Sequence, residues 1–166
     1  MILFGRQLRF GAMTSALIAL AALASPAAAQ NPKTTLTLTN ATITFLAPTA
    51  ADYVNGYLYS ASGVLFQVDA TNGNGSHTTT VKIKATSPDL GNGKVIGDLE
   101  WRRSDLAGWT KISAIDAQVE QKAIVKGVLN DPWSNTIFFR LVLNWTTDIP
   151  AAYTANYQLT LSQTVP

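Results

Sequence analysis

The feature that most constrains the fold of this chain is a two-residue alternation of apolar and polar side chains. It is clearest in TIFFRLVLNW, residues 136–145, where every second side chain is apolar. In an extended chain, the residues that fall together on one side are Ile137, Phe139, Leu141, Leu143 and Trp145. A strand with one apolar and one polar face is typical of an antiparallel sheet that covers a core on one side.

The same alternation recurs along most of the chain. It is found in TTLTLTNATITFL, VLFQVDA, TTVKIKA and residues 153–162, with shorter runs at 53–60, 94–102, 109–114 and 122–129. Turn-forming clusters separate these runs, and residues 114–125 alone have a spacing compatible with a helix. We therefore predict an all-β protein, a single immunoglobulin-like antiparallel β-sandwich of about seven to nine strands.

The first 29 residues have the composition of a secretory signal peptide. Arg6 and Arg9 precede an apolar run that ends in the small residues ASPAAA, which predicts cleavage after Ala29. The run is shorter than the roughly 20 apolar residues of a membrane span, and no second long run follows. We expect residues 30–166 to be one domain, secreted, periplasmic or at the cell surface, without membrane insertion after cleavage.

Charge and cysteine content exclude several classes of partner and chemistry. Arg6 and Arg9 are two of the twelve Lys and Arg residues, so ten remain in 30–166, against ten Asp and Glu. A neutral domain lacks the positive excess that nucleic-acid binding needs. The chain has no cysteine, which excludes disulfides and thiolate metal sites, so the domain must be stabilised by its core.

The residues that could carry catalysis have ordinary surroundings. His77, the single histidine, lies in TNGNGSHTTT, a loop-like segment without packed neighbours to position a general base. Asp98 and Glu100 are two residues apart, but their spacing favours an outward pair balanced by cations on a neighbouring strand. We therefore predict that the protein is not an enzyme and has no cofactor.

One loop resembles a calcium-binding segment in composition. DATNGNGS supplies oxygen atoms from Asp69, Thr71, Asn72, Asn74 and Ser76. The twelfth position, where a bidentate glutamate completes such a site, is Thr80. Asparagine and glycine are also the residues that a hairpin turn requires, so we predict no metal site.

The four tryptophans suggest a binding surface. In DLEWRRSDLAGWTKIS, alternation places Leu99 and Trp101 inward, and it places Trp109 outward beside Arg102, as a cation–π neighbour. Trp133 lies in the turn-like segment NDPWSN, where we expect a second exposed ring. Exposed tryptophans on a β-sandwich stack on sugars, so these residues predict a ligand-binding surface, with a glycan as one possible partner.

The segment DIPAAYTANYQLTLS resembles the last strand of secreted bacterial immunoglobulin-like sandwiches, such as fimbrial subunits and spore-coat-U type domains. Pro150 and Tyr153 match their turn into the terminal strand, and the spacing of Asp148 and Tyr153 resembles a tyrosine corner. This resemblance implies strand exchange with another copy or another surface protein. The segment TTLTLTNATITF has the required alternation in Leu36, Leu38, Ile43 and Phe45. We favour the simpler interpretation that it is the first strand of its own domain, because alternation alone does not indicate pairing with a partner's sheet.

Two functions are compatible with these observations. The first is an exported structural or adhesive surface protein, for example a pilus- or coat-like subunit. The alternative is a secreted carbohydrate- or ligand-binding module that uses exposed tryptophan. The two differ in what they require, since the first needs self-association and the second needs a solvent-facing aromatic surface.

Overall fold

Alternating residues of the chain pair into two antiparallel sheets, as shown by a computed structural model that describes residues 34–38, 42–70, 76–125 and 132–164. All of these residues belong to one compact unit, Pro32–Pro166. The predicted antiparallel β-sandwich is confirmed. The described residues contain ten strands, more than the seven to nine predicted, and two of them have only three and two residues.

The strands are defined by the following bounds. They are β1 Thr34–Leu38, β2 Thr42–Phe45, β3 Tyr57–Tyr59, β4 Val64–Ala70, β5 His77–Ala85, β6 Leu99–Arg103, β7 Thr110–Lys111, β8 Ala117–Ile124, β9 Trp133–Val142 and β10 Tyr153–Thr164. A short 3-10 turn, Ile96–Asp98, precedes β6. None of the helices in the described part of the chain is long and apolar enough to cross a membrane.

Strand β9 is the centre of the larger sheet, whose order is β1-β4-β9-β6-β7. Strands β4 and β3 pair with β9 one after the other, β4 over Trp133–Ile137 and β3 over Arg140–Val142. Strand β6 pairs with the opposite edge of β9. The smaller sheet has the order β2-β10-β5-β8, so β1 and β2 lie at the edges of different sheets.

The core lies between the two sheets and is built from the apolar positions of the alternation. On β9, Ile137, Phe139 and Leu141 are fully buried, and Tyr153, Ala155 and Tyr157 of β10 face them from the other sheet. Phe139 and Tyr157 are in ring contact, with centroids 5.1 Å apart. The inward positions predicted for 136–145 are confirmed as far as Leu143 and those for β10 as far as Leu159, whereas Leu161 is half-buried.

The alternation of 136–145 does not continue to Trp145, and the expectation that its ring enters the core is wrong. Strand β9 ends at Val142, and Trp145 is 59% exposed. The backbone N–H of Asn144 donates to the Asp148 carboxylate, and the Thr146 N–H donates to the Asn144 side chain. These local hydrogen bonds form a turn that leads the chain out of the sheet.

The run at 53–60, read from the sequence as one strand, is a helix followed by a short strand. Helix α1 spans Ala50–Asn55, and β3 begins after Gly56. A capping box starts the helix, because Thr49 and Asp52 each bond the other's backbone N–H. Gly56 ends the helix in the left-handed conformation, at a φ of 76°.

Residues 114–125 contain a strand and not a helix. Strand β8 pairs with β5, with a register shift between Val81 and Lys82. A helix in this segment would leave the outer edge of β5 without a partner, whereas the strand satisfies the backbone groups along it.

The predicted tyrosine-corner contact is present where β10 begins. The hydroxyl of Tyr153, a fully buried residue, donates to the Ile149 carbonyl. The same end of the sandwich contains the buried Lys94, whose ammonium group contacts both Asp148 and Asp98. These contacts attach the loop before β10 to the loop before β6.

Candidate ligand-binding face

The outer surface of the larger sheet carries a cluster of aromatic and arginine side chains on β3, β9 and β6 and next to β7. We call this cluster the Trp109 face. Its members are Tyr57, Tyr59, Glu100, Arg102, Trp109, Phe138 and Arg140. Among them, Tyr59 is exposed and the others are half-buried.

Strand register brings these residues together. Tyr59 of β3 and Glu100 of β6 are both directly opposite Arg140 of the central strand β9. In the next row, Arg102 is opposite Phe138. Directly opposed residues share a face of the sheet, and the neighbours of these residues along β9, Ile137, Phe139 and Leu141, point into the core.

Trp109 lies across the two arginines. The ring centroid of Trp109 is 4.5 Å from Cζ of Arg140 and 5.1 Å from Cζ of Arg102. On the far side it approaches the Tyr59 ring, with centroids 5.9 Å apart and planes inclined at 55°. Trp109 immediately precedes β7, which pairs with β6, so a hairpin that follows β6 supplies the ring.

Arg140 is the most highly connected member of the face. Its Nε donates to Oε2 of Glu100 at 2.6 Å, and its Cζ lies 3.8 Å from the centroid of the Tyr57 ring. Burial alone would lower the pKa of Arg140, but the hydrogen bonds with Glu100 and Tyr59 outweigh burial and raise it. Arg140 is therefore a fixed cation whose charge Glu100 balances.

Arg102 has a different environment. Its Nη1 donates to the Leu106 carbonyl at 2.9 Å, and its Cζ lies 5.3 Å from the centroid of Phe138. Within the described residues, no carboxylate oxygen lies within 4.0 Å of its guanidinium nitrogens. Arg102 is thus held by a carbonyl group and two rings, and no carboxylate of the described residues forms an ion pair with it.

Gly63 makes room for one edge of the Trp109 face. A Cβ atom at this position would lie 2.3 Å from Cγ2 of Thr136 and 2.9 Å from Cε1 of Phe138. Real Cβ contacts are longer than this, so a side chain here would displace Phe138. The position of Phe138, and through it the packing of Arg102, depends on a glycine in the neighbouring turn.

The structure brings Trp109 and Arg102 together, in the cation–π contact that the sequence suggested. Trp133 does not join them, and the expectation of an exposed ring there is wrong. Trp133 is the first residue of β9 and is 8% exposed. Its position shares the inward parity of Ile137, and Lys122 lies 5.0 Å from its ring centroid.

The four residues proposed for strand exchange pair within their own chain. Leu36 and Leu38 are half-buried on β1, which pairs with β4, and Ile43 and Phe45 are buried on β2, which pairs with β10. A cleft of about 480 Å³ separates β1 from the end of β10. Its lining residues are Thr34, Thr35, Leu36, Leu161 and Gln163.

The remaining candidates of the sequence analysis are scattered. Asp98 contacts Lys94 at 3.0 Å, and Glu100 contacts Arg140 on the neighbouring strand. His77 opens β5, and its Nε2 lies 3.1 Å from Oγ1 of Thr34. Of the loop considered for calcium, residues 71–75 lie outside the described residues. In the part of the chain that is described, no group of three or more His, Asp or Glu residues could hold a metal ion.

Sequence reasoning missed five members of the face: Tyr57, Tyr59, Glu100, Phe138 and Arg140. For two of them a signal exists, because Phe138 and Arg140 occupy the polar side of the alternation in 136–145. Single apolar residues on a surface are ordinary, and only a contiguous patch indicates a binding surface, so Phe138 by itself is a weak signal. Tyr57 and Tyr59 give no such signal, because the run at 53–60 predicts one strand without a distinct outward face.

The fold and this face define the class of the protein as an all-β sandwich with an aromatic–arginine surface on one sheet. No protein-family model matches the chain, and no curated protein or solved structure matches it either. The resemblance to fimbrial subunits and spore-coat-U type domains therefore stays a prediction.

Proposed function

We propose that the protein is an exported adhesive surface protein that binds carbohydrate through the Trp109 face. The observation that carries this proposal is the contact of Trp109 with Tyr59 and with two guanidinium groups on a solvent-facing sheet surface. Export is the expectation from residues 1–29.

The chemistry of the face suits a sugar. The C–H groups of a pyranose ring pack on an aromatic face, while its hydroxyl groups need planar hydrogen-bond donors and acceptors at the edge of the ring. Tyr59 is 57% exposed and offers its ring to solvent beside that of Trp109. Arg102, Arg140 and Glu100 supply the donors and acceptors around these two rings.

The backbone that carries the Trp109 face is rigid, which favours the binding of a sugar. The arginine and phenylalanine of β9 alternate with fully buried core residues, so the backbone that carries them is fixed by the packing of both sheets. A binding site on such a strand loses little conformational freedom when a ligand binds.

The proposal is tested by intrinsic fluorescence titration against a panel of neutral and acidic oligosaccharides. Trp145 is also exposed, and its ring stacks on Tyr53, which is not a member of the Trp109 face, so the titrations use a Trp145→Phe background in which Trp109 is the most exposed remaining tryptophan. We expect ligand-dependent quenching and a loss of affinity of about tenfold or more on Trp109→Ala, as for a central aromatic contact.

Two controls separate binding from folding. Trp109→Phe retains a ring and should retain part of the affinity, and Trp145→Phe alone should leave the affinity unchanged. Circular dichroism and the thermal midpoint establish that each variant is folded. A panel without any response, or equal affinity of the Trp109→Ala variant, would refute carbohydrate binding at this face.

The second candidate is a self-assembling pilus- or coat-like subunit, and a separate observation favours it. Strands β1 and β2 are edge strands of different sheets, and the cleft beside β1 leaves room at the side of the sandwich. Edge strands are the elements that neighbouring copies exchange. Light scattering and negative-stain microscopy over a hundredfold concentration range test it, and a strict monomer throughout would eliminate it.

A further inference from the structure

The two arginines of the Trp109 face differ in the balance of their charges. Arg140 is paired with Glu100 at 2.6 Å. In the part of the chain that the structure describes, Arg102 has no carboxylate within 4.0 Å. An arginine without an anionic partner, at the edge of an aromatic cluster, is available to an anion from outside.

The guanidinium of Arg102 is held in place before any ligand arrives. Its Nη1 donates to the Leu106 carbonyl at 2.9 Å, and two rings, Trp109 and Phe138, lie within 5.3 Å of its Cζ. Since guanidinium has five N–H donors, one hydrogen bond to Leu106 leaves the others for a bidentate contact. Such a contact matches a carboxylate or a sulfate group in geometry.

The local charge favours an anion as well. Lys111 is directly opposite Glu100, so it belongs to the same side of the sheet. On the outer side of β6, β7 and β9 the charged side chains are then Arg102, Arg140 and Lys111 against Glu100, a formal excess of two positive charges, whereas Arg103 shares the inward parity of Ile137. The domain as a whole has no such excess, so the positive charge is a property of this face.

We infer that the ligand of the Trp109 face is an acidic oligosaccharide, in which a carboxylate or sulfate group pairs with Arg102 while the neighbouring sugar ring packs on Tyr59 and Trp109. This inference rests on the proposed function and names its ligand class. Arg102 determines the preference for a charged sugar, whereas Trp109 and Tyr59 bind the ring that neutral and acidic sugars share.

The test compares three probes of similar length with the purified protein: a tetragalacturonate, a sulfated tetrasaccharide and a neutral tetraglucoside. We expect at least one acidic probe to bind about tenfold more tightly than the neutral one at low salt, and the difference to shrink in 0.5 M NaCl, where charges are screened. Comparison of the tetragalacturonate with the sulfated tetrasaccharide shows whether the face prefers a carboxylate or a sulfate group.

Arg102→Gln is the central variant. It should lower the affinity for the acidic probe about tenfold and that for the neutral probe clearly less, about threefold, because the glutamine amide still donates a hydrogen bond to a hydroxyl group but cannot pair with an anion. Arg102→Lys, which keeps the charge without the planar fork, should retain an intermediate affinity. Lys84→Gln removes a cation from β5 of the smaller sheet, which takes no part in this face, and should leave all three affinities unchanged.

Each outcome decides the inference. Equal binding of acidic and neutral probes, with no effect of Arg102→Gln, refutes the acidic preference and leaves carbohydrate binding intact. Acidic binding that Arg102→Gln and Lys84→Gln reduce equally indicates general attraction of polyanions and also refutes it. If none of the three probes binds, the acidic preference is refuted, and if the wider oligosaccharide panel gives no response either, the proposed function fails with it.

Discussion

The ammonium nitrogen of Lys94 lies 2.5 Å from Oδ2 of Asp148, and the two side chains are 3% and 7% exposed. This buried ion pair joins the loop before β6 to the loop before β10. Oδ2 of Asp148 also accepts the Asn144 N–H at 2.7 Å, and Asp98 lies 3.0 Å from Lys94. Because the pair is shielded from solvent, its rupture leaves an uncompensated buried charge.

We predict that Asp148→Asn lowers the free energy of unfolding by about 3 kcal/mol, the lower end for a broken buried pair, since Asp98 remains beside Lys94. Urea denaturation at pH 7 measures the change. Asp98→Asn is the matched control, because its side chain is 32% exposed, and it should cost about 1 kcal/mol or less. Equal costs for the two variants would contradict the assignment of Asp148 as the main partner.

Asp148 should also make the stability of the protein depend on pH. Burial alone would raise the pKa of Asp148, but the hydrogen bonds from Lys94 and from the Asn144 N–H lower it below the ordinary value of 3.8. The pKa of Asp148 is therefore lower in the folded than in the unfolded protein. Its carboxylate contributes fully to the free energy of unfolding above about pH 5, and this contribution is lost as the pH falls through the folded pKa.

Thermal midpoints between pH 7 and pH 2.5 should therefore fall less steeply in Asp148→Asn than in the wild type. The thermal midpoint of the Asp148→Asn variant should still fall somewhat with decreasing pH, because the hydrogen bond from Arg103 also lowers the pKa of Asp105. If the wild type and the variant lose stability in parallel over this range, Asp148 is not the source of the acid sensitivity.

Gly63→Ala should destabilise the protein and disturb the Trp109 face. The added methyl group would lie 2.3 Å from Cγ2 of Thr136, and overpacking of this kind costs about 1–3 kcal/mol. Chemical denaturation measures the cost, and the tryptophan emission maximum in a Trp145→Phe background, where Trp109 is the most exposed tryptophan, reports the displacement. Gly97→Ala is the control, since nothing lies within 4 Å of its Cβ position, and it should leave the emission unchanged.

Tyr153→Phe removes the hydroxyl that donates to the Ile149 carbonyl at the start of β10. The ring is fully buried, so the variant should lose about 1 kcal/mol of unfolding free energy through this one hydrogen bond. Tyr59→Phe, at a ring that is 57% exposed, should change the stability by less than about 0.5 kcal/mol. A cost for Tyr153→Phe no larger than for Tyr59→Phe would show that the corner contact contributes nothing.

Glu100→Gln is expected to act in opposite directions on stability and on binding. It removes the charge partner of Arg140 across two strands, which should cost about 0.5–1 kcal/mol in denaturation experiments. It also raises the positive excess of the Trp109 face, so affinity for an acidic oligosaccharide should increase about threefold at low salt. Unchanged affinity for acidic probes would contradict a role of the face in charge recognition.

Much of the fold was predictable from the alternation, because side-chain parity follows directly from extended geometry. It identified the inward positions of β9 and β10, such as Phe139 and Tyr157. It failed at Trp145, where side-chain hydrogen bonds to the backbone end the strand. The alternation shows on which side of a strand each residue lies but not where the strand ends. The end of β9 is indicated instead by Asn144, a residue type that favours turns.

Local signals explain two further errors. Helix α1 has a capping box in Thr49 and Asp52, a local helix signal that the prediction of a strand at 53–60 leaves out of account. Trp133 was read as a turn residue because proline precedes it. The structure places it at the first position of a strand, where its inward parity with Ile137 decides its burial.

The Trp109 face could be predicted only in part. Trp109 and Arg102 are seven residues apart on one hairpin, so their proximity follows from local geometry. Arg140 lies 40 residues from Glu100 in the sequence, and its arrival depends on which strands pair and in which register. A single sequence does not determine that register, because every pairing that preserves parity satisfies the pattern equally well.

The alternation along β9 also has a thermodynamic consequence. Phe138 and Arg140 are outward neighbours of Ile137, Phe139 and Leu141, which are fully buried. The strand that presents the face is therefore ordered in the free protein, and a ligand would find it already in its final shape. Calorimetry of a bound oligosaccharide should accordingly report little entropy loss from the protein, with most of the ordering penalty arising in the flexible sugar.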